Sequence, residues 1–405
     1  MAGGPLAGVR VLDYCWVGAG ALVTKTLADH GAEVIKIESV TRPDNLRLAP
    51  PYRKGAEGLE GSGYFASRNS SKKSFALNMA HPDAPAIARR LAAASSVVTS
   101  NFRPGVMERW GLAYEDVVAY NPSVIYLSMP MQGTDGPHRG FVGFGSTISA
   151  LSGLVWSSGR PDRMPVGTGT HYPDHVPNPG HALVALLAAL YRRRITGEGQ
   201  AIELSQFEST VNMVGPAVIA RSVDGLRPLR DGNRSPQACP SGVFPVAGDD
   251  RWCAITVEDD DRWRGLAAAL GCDEWATDAR FATHSARKQH EDELERLVAA
   301  ETAGWNGPDL GDALQAHGVA AAMVETSADL LDNPQLVERG YWRRLEHPVM
   351  GTIVGSRVPF RSVPDEGAPR SAAPLLGQHT REIAASVLGI DGPAYDELVA
   401  REVFV

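Results

Sequence analysis

Only four of the 405 residues are cysteine (Cys15, Cys239, Cys253, Cys272), and no two of them make a C-x-x-C pair. That spacing excludes a disulfide framework, argues against a cysteine zinc site and suits a reducing compartment, so the thiols read as buried. Positive charge is also short. The 39 Lys and Arg stand against 47 Asp and Glu, a net charge of −8, which gives a polyanionic nucleic acid no global reason to bind. No apolar run is long enough for a membrane: the longest, Ala182 to Leu190, is about half of the roughly 20 residues required and runs into Arg192, Arg193 and Arg194. It reads as a core helix of a soluble protein. The opening MAGGPLAGVRVLDY has no basic segment followed by an apolar one, so no export signal is expected and the chain reads as cytoplasmic. Neither a G-x-S-x-G elbow nor a phosphate-binding G-x-x-x-x-G-K-[ST] loop occurs, which removes support for a serine hydrolase or a P-loop nucleotidase. His171, His175 and His181 lack the spacing of a metal site, and none is expected.

What is present is a globular composition, 43% hydrophobic and 21% charged, with ample material for one large core or two ordinary ones. Val9 to Tyr14 and Val34 to Ile37 are β-branched runs flanking a helical stretch, Ala19 to His30, that stops at Gly31. This spacing predicts a β-α-β unit with parallel strands. The pattern repeats with a helix at Asp83 to Ala94, a strand at Val97 to Ser100, a short helix at Tyr114 to Tyr120 and a strand at Val124 to Met129. From Gly133 to Gly180 the chain is rich in Gly, Pro and Ser, a long irregular region of the kind that carries function. A helix from Pro179 to about Arg194 follows, with Asn178 expected as its cap, and then a strand from Gln200 to Leu204. Arg, Asp, Gly and Pro between Gly225 and Pro236 mark a boundary. Beyond it the expected elements are strands at Gly242 to Val246 and Trp252 to Val257, three helices (Asp261 to Leu270, Glu291 to Thr302, Asp309 to His317) and a strand at Val319 to Val324. Short strands at Gly351 to Val354 and Val358 to Arg361 precede a last helix at Thr380 to Leu388. The resulting division is residues 1–225, 226–330 and 331–405.

Three features carry possible chemistry. The first strand leads to Gly18-Ala-Gly20 at a helix start, where free N–H groups favour an anion. The third glycine of a dinucleotide fingerprint is missing (Val23), although Glu38 lies where a ribose-binding acid would fall, so tight helix–strand packing and an NAD-type site both remain open. Lys72 and Lys73 after Asn69-Ser70-Ser71, and Arg103 and Arg109 around Pro104-Gly105, are cations that would suit a phosphate-bearing ligand or a solvated face alike. Asp174, after Tyr172-Pro173 and four positions before Asn178, is expected to stay ionised near a helix N-terminus. It could act as a nucleophile or merely bond its own backbone.

Taken together, PLAGVRVLDYCWVGAGALVTKTLADHGAEVIKIE, NSSKKSFALNM, NFRPGVMERWGL and YPDHVPNPGHALVALLAALYRRRITGEGQAIELSQFE resemble the family III CoA-transferases of the CaiB/BaiF type, which include the 2-methylacyl-CoA racemases. GVFPVAGDDRWCAI and PLLGQHT extend the likeness over nearly the whole chain. The resemblance implies an α/β fold: a Rossmann-like large domain built from both chain ends, a smaller α+β domain and an interlocked homodimer, with a heteromer of related subunits as the variant. It implies a CoA-transferase with no tightly bound cofactor, acyl-CoA (coenzyme A) and a carboxylic acid as substrates, and neither nucleic acid nor membrane as partner. Asp174 falls on the family's nucleophile, which forms a mixed anhydride and then an aspartyl-CoA thioester.

The CoA contacts implied are Gly18 and Ala19, Leu77, Asn78, Met79 and Ala80, Asn101, Phe102 and Arg103, Arg109, and Val142, Gly143, Phe144 and Gly145. This chain departs from the formyl-CoA transferases at Gly18 (Gln there), Ser39 (Arg) and Ala80 (Lys), and Arg42, Lys72 or Lys73 are the candidates to supply the missing charge. Where racemases carry a proton-exchanging histidine this chain has Phe144, which favours transfer over racemisation. Phe144, Trp156, Met129, Met131 and Tyr172 are expected to line an acyl site less polar than oxalate needs. A family member that only binds acyl-CoA, or acts as a partner subunit, is the reading from another class.

Overall fold

The computed structural model describes residues 4–226, 230–363 and 367–405. The expected boundary between Gly225 and Pro236 thus includes 227–229, which lie outside the described residues. Contacts group the chain into two compact units: Met1–Val155, Gly167–Arg227 and Gln335–Val405 form one, and Trp156–Val166 with Pro228–Pro334 the other. The segment Trp156–Val166 therefore packs with the second unit, whereas the sequence reading left it inside the first.

The first unit is built on six strands: β1 (Arg10–Tyr14), β2 (Glu33–Glu38), β3 (Lys73–Ala76), β4 (Val97–Ser100), β5 (Ile125–Ser128) and β6 (Gln200–Glu203). All pairings are parallel and the order is β3-β2-β1-β4-β5-β6. Successive side chains point to opposite faces, and both faces are covered. Leu12, Ile35, Phe75 and Val98 pack on helix α3 (Ala84–Ala93) and on Ile383 and Phe404 from the C-terminal segment. Val11, Val34, Val97 and Leu127 pack on Val23 and Leu27 of helix α1 (Gly18–Asp29) and on Ala182 and Leu186. Each such large apolar side chain contributes about 1.5–3 kcal/mol by burial. The strand order reverses direction at β1, whose neighbours are β2 and β4, so a crevice opens beyond the carboxyl ends of β1 and β4, where open α/β sheets bind ligands.

Several expectations need correction. The long helix spans Pro177–Thr196, so Asn178 lies inside its first turn instead of capping it; its Nδ2 donates to Gln206 Oε1 at 3.3 Å. That helix buries one stripe (Ala182, Leu186, Ala189) and exposes Val184, Leu187, Tyr191 and Ile195, so it is a core helix on one face only. Val358 to Arg361 is not a strand; the antiparallel hairpin in this part of the chain pairs Trp342–His347 with Gly351–Ser356 and ends just before it. Helix α2 (Gly63–Arg68), capped by Ser62 through Phe65 N, was not read at all. Among the described residues no helix is long and apolar enough to cross a membrane.

The second unit carries an antiparallel sheet of β7 (Ser241–Pro245), β8 (Trp252–Thr256) and β9 (Ala320–Met323). Its helices at Asp260–Leu270, Glu291–Thr302 and Gly307–Ala316 bury Trp263, Leu266, Leu294, Val298, Leu310 and Leu314 against that sheet. All four cysteines are free and buried, as their spacing suggested.

Candidate active site

The turn after β1 is gripped at nearly every polar atom. Cys15 N donates to Asp13 Oδ1 (2.9 Å), Trp16 N to Asn101 Oδ1 (2.9 Å) and Val17 N to Asp44 Oδ1 (3.0 Å). Asn101 Nδ2 returns a bond to Trp16 O, the Trp16 indole donates to Ile37 O, and Lys36 Nζ reaches both Cys15 O (2.9 Å) and Asp44 Oδ2 (2.8 Å). These bonds hold Val17 at φ 60°, a conformation that costs a β-branched residue about 1–3 kcal/mol and persists only when its surroundings over-determine it.

The strained turn delivers Gly18, the first residue of α1, against the Asp174 carboxylate. A methyl group at Gly18 would collide with Asp174 Oδ2, and one at Gly145 would stand 2.6 Å from the same oxygen. Asp174 thus sits between two glycines that begin different helices, and a side chain at either would force its carboxylate to move. The side chain comes from a short helix, Tyr172–His175, just before the long helix, and is only 5% exposed.

Among the described residues the Asp174 carboxylate accepts no hydrogen bond. Burial pushes its pKa up to about 6, with the charges of His171 and then Arg68 pulling it back. At pH 7 roughly nine-tenths of the groups are still ionised, in agreement with the charge expected of Asp174 from the sequence, although burial has raised the pKa. Next to it, burial and then the charges of Arg68 and His171 lower His175 to about 4, so that ring is neutral. A desolvated carboxylate with no donors to quench it can attack a carbonyl carbon or take a proton.

Two connected clefts lead to this group. The inner one, ≈520 Å³, is lined by Gly18, Ala19, Asn101, Val142, Gly143, Phe144, Gly145 and Asp174. The outer one, ≈360 Å³, is walled by Tyr14, Leu77, Met79, Ala80 and Trp110 and carries Arg42 and Arg109; Trp16, Phe102 and Arg103 border both. Trp16 meets Phe102 edge to face at 5.1 Å, and Phe102 meets Trp110 likewise at 5.9 Å.

The sequence model of CoA-transferase family III matches residues 6–380. The chain belongs to that family. It is 34% identical over 386 residues to the succinyl-CoA–D-citramalate CoA-transferase of Chloroflexus aurantiacus, covering 95% of this chain and 94% of that relative. It is also 34% identical over 413 residues to the probable CoA-transferase Rv1866 of Mycobacterium tuberculosis; there 100% of this chain is covered but it spans about half (51%) of the relative. Among solved structures, a CAIB/BAIF family protein from Brucella suis superposes with a TM-score of 0.87 at 31% identity, over 95% of this chain and 100% of that one.

In this family III CoA-transferase three of the residues singled out from sequence lie away from the clefts. Lys72 is fully buried, and its ammonium donates to Asp13 Oδ2 (3.1 Å), Ala21 O (3.0 Å) and Asn69 Oδ1 (2.9 Å), so it is an internal cation with no charge to offer a ligand. Lys73, the next residue and the first of β3, faces the other way and bridges Glu33 (2.9 Å) and Glu382 (2.7 Å). Asn78 turns to the chain terminus, donating to Glu402 O and accepting from Ala80 N. Of the expected acyl-site side chains, Met131 and Phe144 line the inner cleft, but Met129 belongs to the core beneath the long helix. Sequence reading missed the aromatic walls Tyr14, Trp16 and Trp110. Their signal was available, since Trp16 lies in the turn before Gly18 and Trp110 directly follows Arg109.

Proposed function

We propose that this CoA-transferase moves CoA from an acyl-CoA thioester to a free carboxylic acid, with Asp174 as the covalent nucleophile. The observation that carries this reading is the bare, buried Asp174 carboxylate wedged between Gly18 and Gly145 at the end of a cleft. In the first step a carboxylate oxygen of Asp174 attacks the thioester carbonyl and the CoA thiolate leaves, giving a mixed anhydride. The thiolate then attacks the aspartyl carbonyl, releasing the donor acid and leaving an aspartyl-CoA thioester. An acceptor carboxylate attacks that thioester to form a second anhydride. The thiolate returns to its acyl carbon, and Asp174 is restored as a carboxylate.

The outer cleft suits the nucleotide end of CoA. Its aromatic walls offer surfaces to a purine, and Arg42, Arg103 and Arg109 offer guanidinium groups to phosphates. The inner cleft then takes the pantetheine arm past Asn101 to Asp174, with the N–H groups of Gly18 and Ala19 at the start of α1 facing the reacting carbonyl. Phe144, 61% exposed, gives the acyl portion an apolar contact. Racemisation would need a second proton carrier opposite Asp174, and Phe144 carries none. The relative named for succinyl-CoA and citramalate points to carboxylic acids of similar size as donor and acceptor. The exposed apolar row Val184, Leu187, Tyr191 and Ile195 supports burial against a second subunit, as in an interlocked homodimer.

Incubation with acyl-CoA followed by hydroxylamine, then peptide mass spectrometry, is expected to place a hydroxamate on Asp174. Turnover with Asp174 unmodified would refute the assignment.

A further inference from the structure

A third cleft, ≈510 Å³ and within the ordinary size of a small-molecule site, lies next to the inner one, beyond Gly145. Tyr64, Arg68, Ser146, His171 and His175 line it together with Gly167 to Thr170. The two clefts share a thin wall: Gly145 abuts both Asp174 and His171 Cβ, and the next residue, Ser146, already faces the third cleft.

Arg68, the last residue of α2, is a cation short of an anion. One guanidinium nitrogen stands 3.2 Å from His175 Nδ1, the group lies 5.8 Å from the Tyr64 ring centre, and its buried Nε has no hydrogen-bond partner. No carboxylate of the described residues lies within ion-pair distance of it. A structural arginine in the same unit looks different. Arg47 is saturated by both oxygens of Glu38, by Glu60 and by the carbonyls of Leu59 and Pro374. The neutral His175 ring accepts from Arg68 and places no competing positive charge in the cleft. A planar guanidinium with free donors matches a carboxylate in two-point contact better than any other common anion of this size.

We propose that Arg68 and this third cleft form a receptor for a second, non-reacting carboxylate, so that the acids exchanged are dicarboxylates. The inference rests on the CoA-transfer reading for the identity of the reacting end, but the receptor itself can be tested without turnover. The distal carboxylate pairs with Arg68 while the other end of the same acid reaches Asp174. A monocarboxylate of equal length leaves Arg68 desolvated and unpaired, which is the source of discrimination.

The test compares succinate with butyrate, which differ only in the distal carboxylate. Carbon-13 exchange is measured between succinyl-CoA and labelled succinate and between butyryl-CoA and labelled butyrate, and calorimetry measures binding of each free acid. In the wild-type protein succinate is expected to exchange and bind better than butyrate. In Arg68→Met the succinate kcat/KM and affinity should fall about 10²-fold while butyrate exchange moves less than about threefold, with partial recovery in Arg68→Lys. An equal loss for both acids, or wild-type protein that handles butyrate as well as succinate, would overturn the proposal. Should Arg68→Met not fold, monomethyl succinate on the wild-type protein decides in its place: binding as tight as that of succinate overturns the receptor, and loss of binding supports it. Failure of the transfer reading has a separate signature, no exchange of either acid by wild-type protein. Succinate binding that is lost in Arg68→Met would then still support the receptor, and absence of succinate binding would end it.

Discussion

Asp13 and Asp174 are both buried aspartates served by the same β1–α1 turn, and their environments are opposite. Asp13 Oδ1 accepts from Cys15 N and Thr99 Oγ1, and Oδ2 accepts from Thr24 Oγ1 (2.8 Å) and Lys72 Nζ (3.1 Å). Burial works to raise its pKa, but Lys72, Lys36 and these bonds prevail and hold it below the usual carboxylate range. Asp174 has burial without the bonds, and its pKa rises to about 6. Burial alone therefore does not decide how a carboxylate titrates; burial with every donor withheld raises its pKa. The first carboxylate fixes the turn, and the turn fixes Gly18 against the second.

The largest expected effect separates these roles directly. Asp174→Asn should lower transferase turnover by about 10⁴-fold or more, because the amide cannot form the anhydride. The same variant should be more stable than the parent at pH 8. The folded-state pKa of Asp174 lies above its ordinary value of 3.8, so the carboxyl favours folding fully only below about pH 4, and that contribution is lost as pH rises through about 6. A shift of about two units corresponds to about 3 kcal/mol, so urea unfolding should give a stability difference between variant and parent that grows by about that amount from pH 4 to pH 8. A difference that stays flat across this range would break the comparison.

Next in size is the supporting network. Lys72→Met leaves Asp13 charged and unpaired at a fully buried site, which should cost about 3–5 kcal/mol in denaturant unfolding. A Lys72 that served a bound phosphate instead would show unchanged stability and a weaker, less salt-dependent affinity for CoA.

That last contrast marks how far the sequence was legible. The strands β1, β2, β4 and β5 follow from β-branched runs and β6 from alternation, and the second unit's three helices at Asp260–Leu270, Glu291–Thr302 and Gly307–Ala316 follow from apolar periodicity and turn residues. Asp174 stood out from its place before an apolar helix, and it was the resemblance, not its spacing, that made a loop carboxylate the candidate nucleophile. Lys72 and Lys73 look alike as neighbours in a row, yet the extended chain entering β3 sends them opposite ways, one into the ion network and one to the rim. Asp13 and Lys36 are hidden inside runs that read as apolar, because a buried charge is recognised only by a partner brought in from a distant segment. Arg68 escaped for a related reason. Its helix α2 is six residues long, too short for a periodic signal, and what makes it notable is the partner it lacks.

The smallest effect sharpens the comparison within one motif, since Gly18 and Gly20 are two residues apart on α1 and meet different neighbours. A methyl group at Gly20 would lie 2.6 Å from Cys15 Sγ in the packed interior, so Gly20→Ala should cost about 1–3 kcal/mol of stability and leave kcat per folded molecule near the parent value. A methyl group at Gly18 meets the Asp174 carboxylate instead. That side chain can rotate away more easily than the clamped turn can move, so Gly18→Ala should stay folded and lose about 10- to 10²-fold in kcat through misplacement of the Asp174 carboxylate. Thermal unfolding and steady-state kinetics on the two variants read both quantities. Equal losses of kcat, or a Gly18→Ala protein that fails by unfolding while its folded fraction remains fully active, would mean that the pair of glycines serves packing alone and that Asp174 owes its bare state to something other than the turn.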